Sequence, residues 1–157
     1  MRKVLWLVNG VGGPCVLGSY AWGFTTQADP MRLWGSISPS VQGPYSACMP
    51  LAAVGYLVLL AHAHRRPRAQ TVGAMAVLLL CSTAWMPLCF AYLDHGWPLW
   101  TVWGSLAGTA LASIALLADA FRSAERDRLR LAACLGAIPF CVQTVLLDAL
   151  VWPVFFP

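Results

Sequence analysis

The sequence predicts an all-α integral membrane bundle of five transmembrane helices, with the N-terminus inside and the C-terminus outside. Three observations predict it. The first is composition: of 157 residues, 59% are apolar and only 10% charged, where a soluble domain carries about 25% charge. The mean hydropathy is +0.68. So few ionisable groups cannot cover a solvated surface, which excludes a secreted disulfide scaffold, a nucleic-acid partner and most soluble-enzyme folds. The second is segmentation. Read with a window of about 19 residues, the apolar segments are 4–24, 41–61, 71–93, 98–118 and 131–156, each near the ~20 residues that cross a bilayer.

The third observation is the placement of charge. The connections 25–40, 62–70, 94–97 and 119–130 are too short to hold another domain, so residues 1–157 read as a single five-helix unit. With an odd number of spans, the N-terminus and the second and fourth connections share one face. That face carries Arg2, Lys3, Arg65, Arg66, Arg68, Arg122, Arg126, Arg128 and Arg130, nine of the ten basic residues, against Arg32 alone. This is a strong positive-inside bias, and an even number of helices would destroy it.

The first segment follows Arg2 and Lys3 as a signal peptide would. It is too long for an h-region, and Tyr20, Trp22 and Phe24 spoil a small-residue cleavage site, so it reads as a retained helix thinned by Gly10, Gly13 and Gly18. Pro14, Pro50, Pro87, Pro139 and Pro153 kink or end their helices. The fourth segment carries a small-xxx-small stripe, Gly104, Gly108 and Ala112, flanked by Ser105, Thr109 and Ser113. Such a stripe lets helix backbones approach closely; it serves a neighbour in the bundle, a homodimer or a larger membrane complex. The connection 119–130 alternates Arg with Asp and Glu and reads as a solvated helix extension with Arg groups available to anionic lipid heads. His62 and His64 read as solvated members of the other basic connection.

Ten of the twelve Trp and Tyr residues fall toward the outer side; only Trp6 and Tyr56 are inner. An anchoring belt should populate both interfaces, so the excess belongs either to a one-sided interface or to rings lining an outer pocket. Asp148 is the only ionisable residue inside a predicted span and is therefore a functional candidate. It stands ~12 Å below the outer end at 1.5 Å per residue, with Arg32, His95 and Gln42 as its expected partners and Gln143 deeper on the same helix. His95, in the turn 94–97, faces the expected pocket.

The six cysteines all lie in spans with no CxxC pair and no metal-ligand spacing, so no metal is expected. A phosphate loop, HExxH and GxSxG are all missing from the sequence, and no nucleophile is paired with a base, so it does not read as an enzyme. Internal repeats, which alternating-access transporters usually carry, are not visible. The expected location is a bacterial inner membrane, with an organelle membrane as the alternative.

Trp34, Pro39, Gly43 and Pro44, followed by Gly-Tyr-Leu-Val at 55–58, then Trp85 with Phe90, then Pro139, Asp148 and Trp152, form a pattern. It resembles the translocator protein / tryptophan-rich sensory protein (TspO-like) family. The sequence departs from that family in lacking a doubled proline in the first loop, in Ser82 and Asp148 where asparagines are expected, in Tyr45-Ser46 for an aromatic pair, and in a 139–148 interval about one turn short. The resemblance implies a cavity opening toward the first loop that binds porphyrins, sterols or similar flat apolar molecules. Flat rings stack on Trp faces while a buried carboxyl holds a polar handle. The expected ligand-binding residues are Trp34, Tyr45, Trp85, His95, Asp148 and Trp152. The competing reading is a non-catalytic structural or accessory subunit of a larger membrane complex.

Overall fold

The computed structural model describes residues 1–123 and 127–156, and every regular element among them is helical. In order they are α1 (Arg2–Thr26), a 3-10 turn (Pro30–Trp34), α2 (Pro39–Arg65), α3 (Ala69–His95), α4 (Leu99–Arg122), α5 (Arg128–Cys141), a π-helical stretch (Val142–Val151) and α6 (Trp152–Phe155). Five helices are long and apolar enough to cross a membrane, with α5 through α6 counted as one of 28 residues. They fall on the five expected segments. This is the make-up of an integral membrane protein. Arg126 and Glu125, part of the charged connection expected between the last two spans, lie outside the described residues.

The bundle is a ring. Helix α1 packs on α3, α3 on α4, α4 on α5 and the π stretch, and α5 on α2. Side chains close it between α2 and α1: the Tyr56 hydroxyl donates to Asn9 Oδ1, and the Trp6 ring meets the His64 ring edge-on at 4.4 Å. Helices in lipid gain little hydrophobic drive from one another and rely on close packing at small residues. Of the glycines that provide it, only Gly108 is among those the spacing suggested. Gly55 and Gly136 face each other across α2 and α5, Gly12 lies against Leu79, Gly23 against Met86, and Gly108 against Cys81. Gly10, Gly13, Gly18 and Gly104 have open space beside them. Of the expected stripe, then, Gly108 seats α4 on α3 and Ala112 is buried in the core, while a Cβ at Gly104 would meet nothing within 4 Å among the described residues.

One end of the ring holds the basic residues. Arg65 pairs with Asp127 and Arg68 with Asp119, each at 2.7 Å, and Arg130 donates to the carbonyls of Ala120 and Phe121 at the end of α4. The expectation of a solvated connection fails at Asp119, which is 8% exposed inside α4. Its carboxylate accepts from Arg68 (2.7 Å), Gln70 (3.1 Å) and Thr71 (2.8 Å). Three donors from the start of α3 replace water and let α4 run a turn beyond its apolar segment. His62 is likewise buried rather than solvated.

Candidate functional site

The opposite end is aromatic, and its organising feature is the irregular last span. Pro139 and Pro153 bracket the stretch 142–151, whose backbone bonds reach five residues back: the Trp152 N–H donates to the Leu147 carbonyl. Widening the turn in this way aligns residues five apart. Gln143 Nε2 therefore donates to Asp148 Oδ1 at 2.7 Å, a pairing that an α-helix would not allow. From α2, the hydroxyl of Tyr45 donates to the same oxygen. Tyr45 and Gln143 are each only 4% exposed.

Aromatic rings enclose this network. Trp34, from the 3-10 turn, meets Tyr45 edge-on at 5.4 Å. Trp85, from α3, meets Trp152 edge-on at 5.5 Å and Tyr20 at 5.9 Å. Trp152 stacks on Phe156 at 4.1 Å. Edge-to-face pairs of this kind contribute about 0.5–1.5 kcal/mol each beyond area burial, so the rings form a packed plug.

The first connection is tied over this plug. Asp29 caps the 3-10 turn by accepting from the Met31 N–H at 3.0 Å, and Arg32 pairs with Asp94 at 2.7 Å. The Trp152 indole donates to the Leu33 carbonyl at 2.9 Å. Gly35, at φ 52°, lies so close to Phe155 that a Cβ would strike its carbonyl. That carbonyl in turn accepts from the Ser36 N–H at 2.9 Å.

Five of the six expected ligand-binding residues thus converge: Trp34, Tyr45, Trp85, Asp148 and Trp152. His95 does not join them. It is the exposed last residue of α3, where Gly96, left-handed at φ 66°, ends the helix and points the chain away. The expected partners of Asp148 are corrected as well. Arg32 is engaged by Asp94, Gln42 donates to the Ile37 carbonyl at 2.9 Å, and Tyr45 and Gln143 take their place. Gln143, expected only deeper on the same helix and not among the partners, donates its amide to Asp148.

Two buried polar atoms in this region have no hydrogen-bond partner among the described residues: the Trp85 indole N–H, a donor, and Gln143 Oε1, an acceptor. Buried polar groups are normally paired, and these two are not. The chain matches no protein-family model, no curated protein and no solved structure.

Proposed function

We propose that this chain is a membrane protein that binds a small apolar ligand with one polar edge at its aromatic end. The ligand would be porphyrin-, sterol- or lipid-like. The observation that carries the reading is the pair of unsatisfied buried atoms, Trp85 Nε1 and Gln143 Oε1, beside the Asp148 network and within a wall of aromatic rings. Apolar walls with a few convergent polar groups are the usual make-up of a small-molecule site. Trp34 is the ring best placed to yield, because it is half-buried on a short connection while Tyr45 and Trp152 are fully buried. By the distribution of basic residues, the basic end faces the cytoplasm and the aromatic end opens outward, and the membrane is a bacterial inner membrane.

The test is native mass spectrometry after mild extraction from the source membrane, followed by porphyrin and sterol titrations read by Trp fluorescence. A particle of one or two chains with a non-protein mass is the expected result. Trp34→Ala and Asp148→Ala should each weaken binding. If both leave it untouched, the site is wrong. The accessory-subunit reading draws on Gly10, Gly13, Gly18 and Gly104, whose open sides leave close-packing surface free for another protein; a large particle containing other polypeptides would favour it.

A further inference from the structure

A cavity of about 130 Å³ lies at the basic end, between the start of α3 and the end of α4. Gln70, Thr71, Ala115, Ala118, Asp119 and Arg122 line it. Residues 115, 118, 119 and 122 stand three and four apart and so share one face of α4, while Gln70 and Thr71 come from the first turn of α3. The two alanines leave the space open, and the charged pair supplies its polar rim.

The two charges are not equivalent. The Asp119 carboxylate accepts from Arg68, Gln70 and Thr71, so its charge is matched by Arg68 at 2.7 Å. Arg122 is exposed and belongs to no ion pair among the described residues. The cavity therefore carries one uncompensated positive charge. Its depth is that of an interface, because Arg122 ends one span and Gln70 stands in the first turn of another. From there the seam continues along the apolar spans. Thr71 stands opposite Asp119 and Cys81 opposite Gly108, an antiparallel register that sets Gly73 beside Ala115. Both are exposed, a Cβ at Gly73 would meet nothing within 4 Å among the described residues, and exposed Val77 and Leu111 extend the flank.

We infer that this cavity holds the head group of an anionic phospholipid with a single negative charge and a polyol head, its phosphodiester on Arg122 and its acyl chains along the α3–α4 seam. Basic pockets between spans are ordinary sites for anionic head groups, and a guanidinium matches two phosphate oxygens at once. A second phosphate would face the Asp119 carboxylate, where like charges repel. Gln70 turns its amide N–H toward Asp119, which leaves its carbonyl oxygen to accept from a head-group hydroxyl. A choline head has no such donor, and a free phosphate makes no use of the apolar seam.

The experiment titrates phosphatidylglycerol and phosphatidylcholine of equal chain length onto the full chain in detergent micelles, with lipid adducts counted by native mass spectrometry. Phosphatidylglycerol should bind the more tightly. Arg122→Gln should weaken it about tenfold, and Arg122→Lys by less. Since Arg122 is exposed and unpaired, helicity by circular dichroism should not change. Ala118→Leu, which fills the cavity and leaves every charge in place, should weaken it as well. Arg128→Gln, at an exposed arginine that does not line the cavity, should leave binding unchanged. An equal loss in Arg128→Gln would mean diffuse surface charge and overturn the inference. So would equal affinity for the two lipids, or displacement of phosphatidylglycerol by an equal concentration of inorganic phosphate, which would mark a site for a bare anion.

Discussion

The contact between α2 and α5 depends on two glycines, and the cost of filling it can be worked out from the backbone. A Cβ added at Gly55 would land on the carbonyl oxygen of Gly136. The obstacle is backbone rather than the end of a flexible side chain, so the two helices must part. A Cβ at Gly136 would meet Gly55 Cα at 3.2 Å and its carbonyl oxygen at 3.4 Å, a contact relieved by a few tenths of an ångström. A Cβ at Gly10 meets nothing within 4 Å. Unfolding by SDS in mixed micelles leaves spans largely helical, so the usual helix preference for Ala over Gly nearly cancels and the packing difference remains. Overpacking a well-packed contact costs about 1–3 kcal/mol. Gly55→Ala should lose that amount, Gly136→Ala less than about 1 kcal/mol, and Gly10→Ala nothing measurable. The assay is the SDS midpoint followed by Trp fluorescence. The reasoning is refuted if Gly10→Ala loses as much as Gly55→Ala, or if Gly55→Ala is indistinguishable from the parent.

Three further outcomes are expected. Tyr45→Phe leaves Asp148 with Gln143 as its one remaining donor among the described residues and should cost about 1–3 kcal/mol in the same assay; Tyr45→Phe combined with Asp148→Leu should cost less than the two single changes added. Deleting Leu146 leaves Gln143 and Asp148 four residues apart, the spacing that pairs side chains in an ordinary α-helix, so the last span should take α-helical register with that pair kept, and near-UV circular dichroism from the Trp85–Trp152 pair should persist while far-UV helicity holds. At the basic end, the Arg130 backbone N–H holds the Asp127 carboxyl below the usual carboxylate range, with the nearby Arg65 charge adding to the effect. A lowered native pKa gives stability that is present above the unfolded value of about 3.9 and is lost as pH falls through the native one. Acidification below about pH 4 should therefore speed amide exchange at residues 128–131, and Asp127→Asn should abolish that pH dependence.

What the sequence made legible was whatever depends on a running average. The spans follow from hydropathy, and the separation of basic from aromatic ends follows from counting along alternating helices. Trp34, Tyr45, Trp85, Asp148 and Trp152 could be grouped because each lies at a similar depth on its own segment. Illegible were the features set by the azimuth of a helix. Gly12 and Gly13 are adjacent in sequence, yet Leu79 packs on the first alone. Nothing in the spacing of glycines on α1 says which way its inner face points. Asp119 looked solvated because its neighbours in sequence are charged, whereas the groups that bury it, Arg68, Gln70 and Thr71, stand some fifty residues earlier.

The π stretch joins these levels, because it is locally unfavourable and so requires a cause. Helices of this kind are rare and mostly limited to single turns, frequently at functional sites; here ten residues adopt the form. Pro153 supplies part of the cause. In an α-helix its ring would strike the carbonyl of Ala149, four residues back; the wider turn, with the Trp152 N–H reaching Leu147, relieves that clash. A proline clash alone is satisfied by a kink or a single wide turn, so it does not account for widening that extends back to Val142. The pairing of Gln143 with Asp148 does. At 3.6 residues per turn, side chains five apart point about 140° away from each other, and Asp148 would face Thr144, whose hydroxyl is engaged with Ser113 Oγ and the Phe140 carbonyl. An ionisable group in a membrane span costs about 2.5–3.5 kcal/mol even by the mildest scales, and a missing hydrogen bond to a buried polar group about 1–3 kcal/mol. Those magnitudes are large enough to hold an irregular helix. The distortion therefore begins beside Gln143, ends two residues before Pro153 and has Asp148 within it: the polar residue shapes its span as much as the span buries the residue.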